Sequence, residues 1–130
     1  MAQRVLVVDD DTDTRVVLRA VLEDAGYAVE EAGDGPGTLA ALAASGVPMV
    51  VVLDLDLPRM DGLEVMGAVA RDARLAGHFA FVMLTALSYT RYETARQACE
   101  ATGVPFIAKP FELDALLDAV KRASRELALT

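Results

Sequence analysis

The chain has one cysteine, Cys99, among its 130 residues. It has no apolar run near the roughly 20 residues that a membrane span needs. A lone thiol cannot form an internal disulfide, so a reducing cytoplasm is the expected setting. A basic excess is also missing. Twelve Lys and Arg stand against twenty Asp and Glu, a net charge of −8, which argues against nucleic acid as a direct partner. Met1-Ala2-Gln3-Arg4 leads straight into a strand-like run, which leaves no room for a signal peptide. The expectation is a cytoplasmic chain with no membrane segment, long enough for one core.

What is present is a set of short, β-branched apolar runs that end on polar residues. Met49-Val50-Val51-Val52-Leu53 ends on Asp54, and Arg4-Val5-Leu6-Val7-Val8 runs into Asp9-Asp10-Asp11. Phe79 to Leu84 runs into Thr85, and Val104 to Ala108 into Lys109. Runs with no alternating polar residue read as strands buried on both faces, as in parallel sheets. Carboxylates, a hydroxyl and an ammonium would then meet at one sheet rim, where α/β folds place their ligands. That inventory suits phosphoryl transfer.

Helical patterns separate the strands, whose starts fall near Arg4, Tyr27, Met49, Phe79 and Val104. The first helix should begin at Asp11 or Thr12, bury Leu18, Val21, Leu22 and Ala25, and stop at Gly26. Tyr27 to Ala32 is a more polar strand, expected near an edge. A second helix follows Gly35-Pro36-Gly37 with Leu39, Leu42 and Ala43 inward. The third starts near Asp61-Gly62 and buries Leu63, Met66, Val69 and Ala70. The fourth, from about Tyr89 to Thr102, has the poorest apolar stripe (Ala95, Ala98 and Cys99) and should be easily displaced. The last buries Leu113, Leu116, Leu117 and Val120.

Acidic residues after a strand often only cap the next helix, and Asp11 or Asp13 needs no further role. Asp9, Asp10 and Asp54 together demand more. Two carboxylates about 4 Å apart repel by about 4 kcal/mol at an effective dielectric of 20, so their meeting calls for a cation or for protonation. Oxygen-only ligands with open positions favour Mg²⁺, with Mn²⁺ as the alternative. Lys109 precedes Pro110, which biases it to extended geometry and holds its ammonium at the rim, aimed at Asp54 or a phosphoryl oxygen. Thr85 could donate its hydroxyl to that same oxygen. Phe106, His78 and Cys99 read as core, loop and packing residues.

These residues carry a resemblance. The chain resembles the receiver (phosphoacceptor) domain of bacterial two-component response regulators along essentially its whole length. Asp9-Asp10 match the acidic pair, Asp54 the phosphoacceptor, and Pro58-Arg59-Met60-Asp61-Gly62 the turn after it. Thr85-Ala86 match the hydroxyl residue and its small follower, and Lys109-Pro110-Phe111 the lysine-proline motif. Each is weak alone, but five in order are specific. The resemblance implies an α/β, (βα)5 flavodoxin-like three-layer fold with a parallel five-stranded sheet in order 2-1-3-4-5. It implies Mg²⁺ held by Asp10, Asp54 and the backbone carbonyl of Asp56, with Asp9 assisting. Thr85 and Phe106 fall at the switch positions.

A sensor histidine kinase or phosphotransfer protein would be the donor. The output would be a downstream protein or a self-dimer, through the fourth helix, fifth strand and fifth helix. Residues 1–130 are expected to be one receiver domain without an effector domain, a switch rather than a multiple-turnover enzyme. Asp56 beside the acceptor, and Leu57 and Leu87, depart from the family's usual residues and bear on the phosphorylated lifetime. Asp54-Leu55-Asp56-Leu57 also resembles the nucleophile motif of haloacid-dehalogenase-type phosphatases. There, however, the second acidic cluster lies downstream, and Pro58 breaks the motif.

Overall fold

The computed structural model describes residues 2–86 and 90–128. Five strands alternate with five helices: β1 (Arg4–Val8), α1 (Thr12–Asp24), β2 (Ala28–Ala32), α2 (Gly35–Ala44), β3 (Met49–Asp54), α3 (Gly62–Arg71), β4 (Phe79–Ala86), α4 (Tyr92–Thr102), β5 (Phe106–Lys109) and α5 (Leu113–Ala128). All pairings are parallel, in the order β2-β1-β3-β4-β5. This is the flavodoxin-like order, and the crevice opens beside β1 and β3, where the winding direction reverses.

Side chains alternate across each strand, so one apolar run feeds two layers. Val51 and Leu53 of β3 join Leu6, Val65, Ala95 and Cys99 on the face covered by α2, α3 and α4. Val50 and Val52 join Leu18, Leu22, Leu116 and Val120 beneath α1 and α5. Every residue of β3 is buried, whereas β2 is partly open at its edge, as its polar composition implies. No helix among the described residues is long and apolar enough to cross a membrane.

Two strands begin later than their apolar runs. Tyr27 N–H donates to the Leu22 carbonyl, and Val104 N–H donates to the Cys99 carbonyl. In each case a glycine with positive φ, Gly26 (98°) or Gly103 (75°), precedes the donor. Both amides close the preceding helix in a Schellman-type turn and are lost to the ladder. β2 therefore starts at Ala28 and β5 at Phe106.

The buried helix faces also differ in places. Ala25 falls past the end of α1 and is exposed. Ala43 and Ala70 each lie one residue beyond the buried line of their helix and are exposed. The α5 stripe runs through Leu116, Ala119, Val120 and Ala123, and Leu113 precedes it by a turn, 48% exposed. Val65, a buried residue of α3, lay outside the expected set. Leu87 and Tyr89 lie outside the described residues. In α4 only Ala95 and Cys99 are fully buried, and its N-cap, Arg91, makes no side-chain cap bond.

Candidate functional site

The rim is assembled by the loops that leave β1, β3 and β5. After β1, Asp9 is buried and its amide continues the ladder to the Ala32 carbonyl at 3.2 Å. Asp11 caps α1 by accepting from the Asp13 amide, and its other oxygen accepts from the Thr14 hydroxyl at 2.7 Å. The Asp11 amide in turn donates to Asp9 Oδ1 at 2.9 Å, so the acidic loop is cross-braced. After β3 the chain turns sharply back into α3. A Cβ at Gly62 would lie 2.9 Å from the Leu55 Cα and 2.7 Å from its Cδ2, so only glycine lets the helix start this close to the strand end. Asp61 and Glu64 form a reciprocal capping box on α3. Asp61 also pairs with Arg91 at the head of α4.

Asp54 ends β3 with its side chain 7% exposed, held from two sides. The Asp56 amide donates to its Oδ1 at 3.1 Å, and Lys109 Nζ donates to its Oδ2 at 3.0 Å. The same ammonium donates to Asp9 Oδ2 at 2.9 Å. One lysine thus bridges two buried carboxylates from separate strands. Burial pushes the Asp54 carboxyl up to about 6, with Lys109 opposing that rise. For Lys109, burial acts to lower its proton affinity, but the hydrogen bonds and charges of Asp9 and Asp54 prevail and raise it. The ammonium therefore stays charged at neutral pH.

The structure brings Asp9, Asp10 and Asp54 together: carboxylate oxygens from all three lie within 4.8 Å of one another. Asp10 is exposed, so this oxygen cluster opens to solvent. A hard divalent cation that retains water fits such a donor set. The three carboxylates line a crevice of about 430 Å³ with Asp56, Ala86 and Lys109. Thr85 is fully buried, and its hydroxyl donates to the Ala86 carbonyl at 3.2 Å rather than to Asp54. Phe106 is half-buried and meets Tyr92 of α4 edge to face, with ring centroids 5.3 Å apart. Asp56 is exposed at the crevice wall.

One residue beside the site carried no expectation from sequence. Arg15 donates to the Asp9 carbonyl at 2.5 Å, to Glu31 at 3.1 Å and to Thr12 at 3.2 Å. An arginine one turn into an acidic-capped helix reads as surface, and only the pairing of β1 with β2 brings Glu31 to it.

A family model for the response regulator receiver domain matches residues 5–121. The chain is 40% identical to the response regulator MprA of Mycolicibacterium vanbaalenii over 96% of its own length and 52% of the relative's. It is 34% identical to the nitrogen assimilation regulatory protein NtrX of Azorhizobium caulinodans, over 99% of this chain and 28% of that one. The chain thus spans about half, or less, of the curated relatives it matches. Among solved structures, a CheY-like receiver domain protein of Methanospirillum hungatei superimposes with a TM-score of 0.83 at 29% identity, covering 98% of both chains. With its strand order and its rim of acidic residues, the chain belongs to the response regulator receiver domains of two-component systems.

Proposed function

We propose that the chain accepts a phosphoryl group on Asp54 from a sensor histidine kinase or phosphotransfer protein, in a divalent-cation-dependent step. The observation that carries this reading is the double anchoring of the Asp54 carboxylate beside two further aspartates and a charged lysine. In the step, an Asp54 oxygen bonds to phosphorus as the phosphorus–nitrogen bond of a phosphohistidine breaks. That electron pair returns to the imidazole, and an acyl phosphate forms. Such transfer asks mainly for positioning and charge neutralisation.

The Asp56 amide fixes one Asp54 oxygen, which orients the nucleophile. Lys109, bonded to the other Asp54 oxygen, would offset the negative charge that the phosphoryl oxygens bring to the site. Asp9, Asp10, Asp54 and the backbone carbonyl of Asp56 would hold Mg²⁺ or Mn²⁺, which when bound neutralises charge on the phosphoryl oxygens. Thr85 would exchange the Ala86 carbonyl for a phosphoryl oxygen, and Phe106 would follow into the space it leaves. Motion there reaches α4 through Tyr92, and a second contact, Asp61 with Arg91, joins α4 to the turn after Asp54. The face of α4, β5 and α5 would then engage a downstream protein or a second copy, with no direct nucleic-acid contact, in the cytoplasm. The relatives are longer, so this unit works alone or as part of a larger regulator.

The test is incubation with Mg²⁺ and a small-molecule phosphodonor. One acid-stable, base-labile phosphoryl group should appear on Asp54 and vanish with chelator or in Asp54→Asn. Equal labelling of that variant would sink the assignment. Multiple turnover on a generic phosphate ester would favour the phosphatase reading instead.

A further inference from the structure

The side chain of Arg15 is 18% exposed, and its guanidinium is satisfied in three directions. Its Nη1 donates to the backbone carbonyl of Asp9, its Nη2 to the Thr12 hydroxyl, and its Nε to Glu31 at the end of β2. Glu31 is in turn fixed by Arg19 Nε at 2.6 Å, and Arg19 also reaches Glu23. Hydrogen bonds from Arg19, opposed by some burial, hold the Glu31 carboxyl below its usual range, so this anchor stays ionised at neutral pH. The fork therefore spans the loop of Asp9, Asp10 and Asp11 from the edge strand to the first turn of α1. Gly33 completes the seat, since a Cβ there would lie 3.3 Å from Nη1.

We propose that Arg15 is a positioning residue that clamps the Asp9 carbonyl and so holds the acidic loop in the shape that takes a divalent cation. The inference rests on the cation-dependent reading given above. Two effects of Arg15 oppose each other. Its positive charge near the cluster disfavours a cation, while its fork orders the loop that presents Asp10. Glu31 lies 3.1 Å from the guanidinium and offsets the first effect locally, whereas nothing else braces the Asp9 carbonyl among the described bonds. Ordering should win, and groups that orient ligands from behind typically change metal affinity by roughly 10- to 100-fold.

The test is Mg²⁺ titration by calorimetry of the wild type, Arg15→Lys, Arg15→Met and Gly33→Ala, with Asp10→Asn as reference and thermal unfolding to verify folding. Both Arg15 variants should bind roughly tenfold more weakly, the low end of that range. Gly33→Ala, which leaves every bonding side chain in place, should shift affinity the same way by less. The Asp11 amide, which donates to Asp9, should exchange faster in Arg15→Lys. Tighter or unchanged binding in Arg15→Met would mean that charge outweighs positioning and would overturn the inference. Wild-type affinity in Arg15→Lys would overturn it too, because that change keeps the charge and removes the fork. If an Arg15 variant does not fold, unchanged affinity in Gly33→Ala decides against it. No binding heat from the wild type itself would instead bring down the cation-dependent reading, and this inference with it.

Discussion

Asp54→Asn should make the cation-free protein more stable at neutral pH, and the size of the gain follows from the site. The folded carboxyl titrates at about 6, against an ordinary value of 3.8. Its folded value is raised, so its contribution to stability is complete below the unfolded value and is lost as pH rises through about 6. The difference spans about two pH units, and at about 1.4 kcal/mol per unit the ionised group costs at most about 3 kcal/mol at pH 7.5. Asparagine removes that cost while keeping the shape, and its amide oxygen can still accept from Asp56. It gives up one bond with Lys109, a charged donor, which returns about 1–2 kcal/mol.

The net gain is about 1–2 kcal/mol, or roughly 4–8 °C in Tm for a chain of this size. Thermal melts of both proteins in chelator, at pH 7.5 and pH 4, measure it. The gain should vanish at pH 4, where the wild-type carboxyl is protonated in the folded state. It should also shrink in Mg²⁺, which stabilises the wild type by mass action. A variant no more stable at pH 7.5, or one whose advantage grows toward pH 4, would refute the reasoning.

Asp56→Asn should lengthen the phosphorylated lifetime if the exposed carboxylate orients the hydrolytic water, or speed initial phosphorylation if it repels the incoming dianion. Rates of both steps discriminate, and no change in either would show that Asp56 points away from the reacting group. Amide exchange with and without a beryllofluoride-type phosphoryl mimic should differ most between Ala86 and Lys109, since the two states need only a few kcal/mol between them. Differences confined to α1 and α2 would rule out the α4, β5 and α5 face as output.

The site was legible largely because parallel strands buried on both faces must be continuous apolar runs, so the residue that ends each run marks the rim. Asp9, Asp54 and Lys109 could be placed at the rim that way from position alone, whereas Thr85 lies within β4, fully buried and bonded to the Ala86 carbonyl. Less legible was everything set by backbone bonds rather than side-chain type. Tyr27 and Val104 look like strand residues and are apolar enough, yet their amides belong to the helices before them. Leu113 has the spacing of a core residue but sits a turn ahead of the packed stripe. Arg15 was invisible because its role depends on Glu31, which only the pairing of β1 with β2 brings close.

Lys109 also has a mechanical meaning. β5 is an edge strand of four residues, held to the sheet by one neighbour only. Its terminal side chain reaches inward past β4 to grip residues 55 and 100 positions earlier in the chain. The ammonium is thus a two-legged tether between the border of the sheet and its centre. Whatever draws the Asp54 oxygen away slackens one leg while the Asp9 leg holds. A phosphoryl group on Asp54 would thereby be felt as a change of tension on the border strand.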